Sequence, residues 1–265
     1  MDTDLSFDPL AVVDAEAARF AEVLQRIDPD TPVPTCPGWT ARDLLKHLIE
    51  VHDFWAAVIG DHLMGEQVEA YEKSRPPFTD DVDELFRQRE EATGRLLVAL
   101  RKREPHEEAW SWFGPDQTVG FTRRMQTHEA TMHRVDAETA AGGAVSPIAD
   151  EVAAGGVDHV LDVMLNWVPD SAEVTPGPVV ELRGADTGQR WLLELYRWSG
   201  TAWGRQFTDQ IGGRRADGDR APAAVVTAPV AQLDLFVWSR PATVEQTGDQ
   251  DAIAELTALR EFGIQ

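Results

Sequence analysis

Residues 124–136 read RMQTHEATMHRVD. Glu129 and His133 lie four residues apart in this segment, so on an α-helix their side chains differ by about 40° in direction and about 6 Å in height. One metal ion placed over this helix face can therefore contact both side chains. The wider pattern predicts a helix that begins near Phe121 and ends before the glycine pair at 142–143.

Residues 36–48 read CPGWTARDLLKHL and predict the start of another helix. Thr40 is the expected N-cap, because Asp43 follows three residues later in the position of a capping-box acid. One face of this helix carries His47 together with Leu44, Leu48, Val51 and Trp55. That face should be buried. His47 is therefore a third candidate ligand, since helical bundles build metal sites from inward-facing side chains on different helices.

The same residues also have an ordinary structural interpretation. A Glu and a His at this spacing commonly form a surface ion pair, and a histidine among leucines is commonly a hydrogen-bonded core residue. His128 points about 100° away from Glu129, so it is expected to be exposed or to support the site from outside the ligand set. The spacing alone leaves these interpretations and the metal site open.

The rest of the sequence predicts two domains. Helical spacing of apolar residues, interrupted by prolines and glycines, predicts four helices in the first half. They cover residues 5–27, 40 to beyond 55, 80–103 and 121–141. The first domain is therefore all-α and is placed at residues 1–145.

The pattern changes after residue 150, where helices and strands are mixed. The predicted elements are a helix at 151–167, strands at 179–182, 191–195 and 224–227, and helices at 230–238 and 252–262. Asp186-Thr187-Gly188 predicts a hairpin turn between the first two strands. The second domain, residues 146–265, is therefore a smaller α+β domain.

Composition excludes several classes of partner. The chain has 265 residues and a formal net charge of −22, and such an acidic surface repels the phosphates of nucleic acids. No apolar segment is long enough to cross a bilayer, and the acidic N-terminus lacks the apolar run of a secretory signal. The single cysteine, Cys36, excludes an internal disulfide and fits a reducing compartment, so a cytoplasmic location is expected.

The two quoted segments together resemble the actinobacterial mycothiol-dependent maleylpyruvate isomerase family. The resemblance implies that the first domain is a DinB-like four-helix bundle and that the second is similar to sterol carrier proteins. It also implies a site for zinc, or another divalent metal, with His47, Glu129 and His133 as ligands. Residues 233–240 read LDLFVWSR and are similar to the family's helix that ends in Trp-Gly-Arg, with serine in place of the glycine.

Two imidazoles and one carboxylate leave a coordination position open, which is typical of a catalytic zinc site, although other divalent metals suit these donors. A bound cation strongly lowers the pKa of a thiol at that position from its usual value of about 8.5. The resemblance implies that this thiol is mycothiol, whose sulfur adds to the double bond of maleylpyruvate, permits rotation and leaves again. The chain is therefore expected to be an isomerase that uses a low-molecular-weight thiol on a small-molecule substrate, as a monomer or weak homodimer.

Two other functions share these features. One is a mycothiol-dependent S-transferase that acts on another electrophile, and it needs the same activated thiol. The other is a non-catalytic metal-binding or ligand-binding protein, for which chelation should change no thiol-dependent chemistry.

Four further residues receive roles. Arg240 is a candidate catalytic residue, because arginine suits carboxylate recognition; a surface arginine that closes a helix is the alternative. Asp136 could orient an imidazole, but a solvated acid at a helix end is the favoured interpretation. Trp39 is a candidate wall of the site or a core residue. Cys36 has no base beside it in the sequence and is interpreted as structural, not nucleophilic.

Overall fold

A computed structural model describes residues 6–165, 168–169, 171–202, 204–216, 218 and 220–262. The chain divides into two compact units, residues 1–146 and residues 147–265. The first unit is helical, whereas the second combines helices with a five-stranded sheet. Among the described residues, no helix has both the length and the apolar character needed to span a membrane.

The N-terminal unit contains four long helices and one short one. Their bounds are α1 Pro9–Leu24, α2 Ala41–Gly60, α3 Glu66–Ser74, α4 Val82–Arg101 and α5 Val119–Ala140. The four long helices were predicted, although the predicted start of the first at Leu5 lies outside the described residues. The short α3 was missed, because it buries only Val68 and so carries no apolar periodicity.

Side-chain caps set where the long helices begin. Asp8, Thr40, Asp81 and Thr118 each accept backbone N–H groups at the starts of α1, α2, α4 and α5. The predicted capping box of α2 is present, with Asp43 bonded back to the Thr40 backbone. Such caps are each worth about 1 kcal/mol. The cap of α2 also fixes the direction of His47, two turns further along the same helix.

Hydrogen bonds between helices give their directions. Three contacts join α1 to α5 in the same chain order: Pro9 with Thr127, Glu16 with Arg134, and Arg19 with Glu138. Helices α1 and α5 are therefore parallel. In contrast, Cys36, just before α2, contacts Asp136 near the end of α5, while His47 contacts Glu129 further back. Helix α2 therefore runs antiparallel to α5.

Helix α5 is buried along almost its whole length, from Val119 to Glu138. Its buried side chains include several polar and charged groups, and these need partners. Arg134, 1% exposed, forms ion pairs with Glu16 and Glu138 and donates to the backbone carbonyl of Ser146. This network joins α5 to α1 and to the end of the unit.

The Glu138 carboxylate should make the stability of the protein depend on acid pH. Burial alone would raise its pKa, but hydrogen bonds from Ser146, Arg19 and Arg134 lower it from 4.5 to about 2. The resulting stabilisation, about 2–3 kcal/mol, is present above pH 4.5 and is lost as the pH falls towards 2. We expect the stability gap between the protein and Glu138→Gln, measured by urea unfolding, to be clearly smaller at pH 3 than at pH 7.

The matched control for this prediction is Glu22→Gln. Glu22 also pairs with Arg19, but its side chain is 47% exposed. The difference in stability between the protein and Glu22→Gln should be smaller than the difference for Glu138→Gln at both pH 3 and pH 7. A Glu138→Gln gap that is the same at pH 3 and pH 7 would contradict the assigned role of this carboxylate.

The C-terminal unit is built on a sheet with strand order β3-β2-β1-β4-β5. The strands are β1 Glu173–Gly184, β2 Arg190–Ala202, β3 Arg205–Arg215, β4 Ala224–Ala228 and β5 Glu245–Gly248. The helices are α6 Asp150–His159, continued by a π-helical turn Val160–Met164, α7 Val230–Val237 and α8 Gln250–Phe262. Strands β1 and β4 are parallel, and the other neighbouring pairs are antiparallel.

The predicted hairpin between β1 and β2 is confirmed, with Gly188 in its turn at φ +72°. Strand β4 and helices α7 and α8 also lie where they were predicted. The helix over residues 151–167 was predicted to end at Trp167, which lies outside the described residues. Strand β3 was missed. It depends on Gly212, where a Cβ atom would lie 2.2 Å from the Tyr196 ring of β2.

Candidate metal centre

Three side chains from two helices converge inside the N-terminal unit. His47 lies on α2, and Glu129 and His133 lie one turn apart on α5. The Nε2 atoms of both histidines are 3.1 Å from Oε1 of Glu129. One ligand atom from each side chain lies within 4.8 Å of the other two. The structure therefore brings together all three predicted ligands.

These distances fit a single small cation. Imidazole nitrogens and carboxylate oxygens bind zinc at about 2.0–2.2 Å, so two tetrahedral ligands lie about 3.3–3.5 Å apart. The two N···O distances of 3.1 Å are close to that spacing. The side chains of His47 and Glu129 are 27% and 25% exposed, while His133 is 5% exposed. The site is thus anchored at His133 and accessible at its other two members.

Charge favours a cation here. Burial would raise the pKa of Glu129, but hydrogen bonds and charges from His133 and His47 lower it well below its usual value. Burial would lower the pKa of His133, yet hydrogen bonds from its ring to Asp136 and Glu129 raise it to about 9. Two carboxylates therefore surround the His133 ring and favour positive charge there.

Asp136 supports His133 from the side away from Glu129. Its Oδ2 lies 2.9 Å from Nδ1 of His133, and the carboxylate is fully buried. The favoured interpretation of Asp136 as a solvated helix-end acid was therefore wrong, because α5 is covered by other parts of the chain at this point. A carboxylate on Nδ1–H fixes the ring so that the Nε2 lone pair is available to a metal.

Cys36 completes this buried chain of contacts. Its Sγ atom lies 3.5 Å from Oδ2 of Asp136, and the residue is 4% exposed. Trp39, from the same loop, covers the site: its ring centroid is 4.9 Å from that of His47 and 6.5 Å from that of His133. The CPGW segment thus places Cys36 behind the candidate ligands, next to Asp136, and Trp39 beside the two histidine rings.

Asp136→Asn should weaken metal binding, because an amide cannot hold the His133 ring by the same charge-assisted bond. Loss of such an outer partner typically costs 10–100-fold in metal affinity, and we expect a decrease of about that size. Competition with a chromophoric chelator measures it. Asp30→Asn, at a 77% exposed side chain, is the control and should leave the affinity unchanged. Equal affinities for the two variants would contradict the role given to Asp136.

Comparison with known proteins concerns the part of the chain that contains this site. Residues 10–138 match the family model described as mycothiol maleylpyruvate isomerase N-terminal domain. This match covers most of the N-terminal unit and just under half of the whole chain. The resemblance seen in the sequence is thus confirmed for that part of the chain, which includes the three candidate ligands.

Solved structures extend the likeness in fold to the second unit. The chain is similar to two crystal structures of the mycothiol-dependent maleylpyruvate isomerase, one of them of a histidine-to-alanine mutant. Each match has 16% sequence identity and a TM-score of 0.59, and covers 91% of this chain and 92% of the other. At this identity the likeness concerns the fold alone. No curated protein matches the sequence significantly.

The other residues singled out in the sequence take structural positions. His128 is 2% exposed, which excludes the first of its two expected positions, an exposed side chain. Arg240 is 3% exposed and donates to the Trp238 carbonyl, which excludes a surface arginine. Its catalytic role stays a prediction.

Sequence reasoning missed polar residues deeper inside the N-terminal unit. Thr122 and Gln126 are fully buried on α5, and His52 is fully buried on α2. The available signal was the spacing of Thr122, Gln126, Glu129 and His133, which places four polar residues within about 60° on one helix face.

Proposed function

We propose that this protein is a metal-dependent enzyme that activates mycothiol, with maleylpyruvate isomerase-like cis–trans isomerisation as its reaction. The ligands would be His47, Glu129 and His133, and the metal zinc or another divalent cation. In this account the first unit is a DinB-like four-helix bundle, and the second is similar to sterol carrier proteins.

One observation carries the proposal. A His-Glu-His set with ligand atoms within 4.8 Å of one another lies inside a unit that matches the mycothiol maleylpyruvate isomerase N-terminal family model. Three donors of this kind leave a position open, as catalytic zinc sites do. A closed structural site would present a fourth protein ligand.

Each residue around the centre has a defined task. A bound divalent cation would supply Lewis acidity that lowers the pKa of a thiol at the open position. His133, held by Asp136, gives the site a rigid anchor. Trp39 shields the histidine rings from water on one side. The partly exposed edge of His47 and Glu129 is the side on which a thiol can enter.

The isomerisation follows from the chemistry of a thiolate. When bound, mycothiol would supply a sulfur nucleophile that adds reversibly to the conjugated double bond, permits rotation about the resulting single bond and leaves again unchanged.

A turnover assay tests this function. Metal-loaded protein with mycothiol should convert maleylpyruvate to its trans isomer, and chelation or His47→Ala should remove the activity. Accumulation of a stable thioether with another electrophile would assign the S-transferase function instead. Turnover that survives both chelation and His47→Ala would refute the metal assignment.

A further inference from the structure

The interior of the N-terminal unit contains polar atoms that have no partner. Gln126 is fully buried on the same face of α5 as Glu129, one turn earlier along the helix. Neither its amide oxygen nor its amide nitrogen has a hydrogen-bond partner. Buried amides without partners are rare in native proteins, and each requires an explanation such as an ordered water or a ligand.

His52 of α2 presents a second such atom. Its Nδ1 lies 2.9 Å from the Thr93 hydroxyl, which itself lies 2.9 Å from the Arg89 carbonyl. The Thr93 hydroxyl therefore donates its proton to the Arg89 carbonyl, and its oxygen accepts a hydrogen bond from Nδ1–H of His52. Nε2 of His52 consequently carries a lone pair, and it has no partner. Burial lowers the pKa of His52 to about 3, so the ring is neutral.

Helix geometry places His52 and Gln126 at the same height along the bundle axis. His47 lies opposite Glu129 and His133, and α2 runs antiparallel to α5. His52 is five residues further along α2 than His47, which is about 7.5 Å along the helix axis and about 140° around it. Its ring still lies close enough to α5 for the charges of Glu129 and His133 to affect its pKa. Residue 131 is midway between Glu129 and His133 and so lies at the height of His47. Gln126 is five residues before residue 131, again about 7.5 Å along the helix axis. The two side chains form no hydrogen bond with each other.

We propose that His52 and Gln126 form a buried binding site for a single hydroxyl group, about 7.5 Å along the helix axes from the candidate metal centre. The hydroxyl would donate a hydrogen bond to Nε2 of His52, and its oxygen would accept a hydrogen bond from the amide nitrogen of Gln126. Its source is either an ordered water or a hydroxyl of a small molecule bound at the metal centre; the second source rests on the proposed function.

The donor pattern selects this chemistry. The neutral His52 ring offers only a lone pair at Nε2, so a carboxylate, which also offers only lone pairs, has no bond to form there. The amide of Gln126 both donates and accepts. A hydroxyl is the smallest group that can donate one hydrogen bond to Nε2 of His52 and accept one from the amide nitrogen of Gln126. A water molecule, which has a second proton, can also donate to the amide oxygen of Gln126.

Nitrogen-15 NMR of His52 in the full-length, zinc-loaded protein tests the proposal. An accepted hydrogen bond moves the resonance of an unprotonated imidazole nitrogen upfield from its unbonded position. An upfield Nε2 signal in the protein alone identifies water as the source. A signal that moves upfield only after saturation with mycothiol, or with mycothiol and substrate, identifies a ligand hydroxyl. An unbonded Nε2 signal under all these conditions overturns the proposal.

Gln126→Met, a substitution of similar size, should move this resonance because the hydroxyl loses its second partner. Thr35→Val is the matched control, since the Thr35 hydroxyl is also buried without a partner; it should leave the signal unchanged. An Nε2 signal that does not respond to Gln126→Met contradicts the shared site. The measurement on the unsubstituted protein does not depend on the variant's folding. Calorimetry of mycothiol binding on the same sample reports separately on the proposed function.

Discussion

His133→Ala should abolish specific metal binding and, with it, all thiol-dependent turnover. His133 is the most buried of the three candidate ligands, and its ring is the one that Asp136 contacts on the side away from Glu129. Its removal leaves Glu129 and His47, which come from different helices and cannot enclose an ion by themselves. The loss of affinity should exceed the roughly 10–100-fold expected when only an outer partner such as Asp136 is changed.

The comparison variant is His106→Ala, at an exposed histidine. Metal content after dialysis, measured by atomic emission, should be close to one ion per chain in the protein and in His106→Ala, and near zero in His133→Ala. Circular dichroism must show helices in both variants. A His133→Ala protein that keeps a full complement of metal would place the ion elsewhere.

Arg134→Ala should cause the largest loss of stability of any substitution considered. The side chain is 1% exposed, and it pairs with Glu16 and Glu138 while also bonding the Ser146 carbonyl. Its removal leaves two carboxylates without their shared cation, one of them 2% exposed. Breaking a buried ion pair from one side costs about 3–5 kcal/mol, and we expect a decrease in the free energy of unfolding of that size.

Arg26→Ala provides the comparison for Arg134. Arg26 also pairs with a glutamate, Glu22, but its side chain is 68% exposed. Exposed pairs contribute little because water and salt screen them. Chemical denaturation should therefore show a loss for Arg26→Ala that is a small fraction of that for Arg134→Ala. Similar losses for both variants would show that the Arg134 network does not hold α5 against α1.

Local sequence signals predicted much of the site because they act within one helix. The capping box of Thr40 and Asp43 and the four-residue spacing of Glu129 and His133 each depend on the backbone of a single element. They correctly located α2 and α5. The pairing of His47 with these residues needed one further assumption, that apolar neighbours mark a buried face.

The misses arise where an outcome depends on other elements. Asp136 was expected to be solvated because α5 alone does not show that the loop around Cys36 covers its end. Strand β3 depends on Gly212 beneath the Tyr196 ring of a neighbouring strand. The exposed α3 and β5 carry no burial pattern that a sequence could reveal. His52 and Gln126 were missed because their significance appears only when two helices are aligned.

The most direct test of the account is calorimetry of mycothiol with the metal-loaded protein and with the same protein after chelation. The metal-loaded protein should bind about one mycothiol per metal ion, and the chelated protein should bind none. Binding should return when zinc is restored. Metal-loaded, folded protein that binds no mycothiol, or equal binding with and without metal, would contradict the central claim.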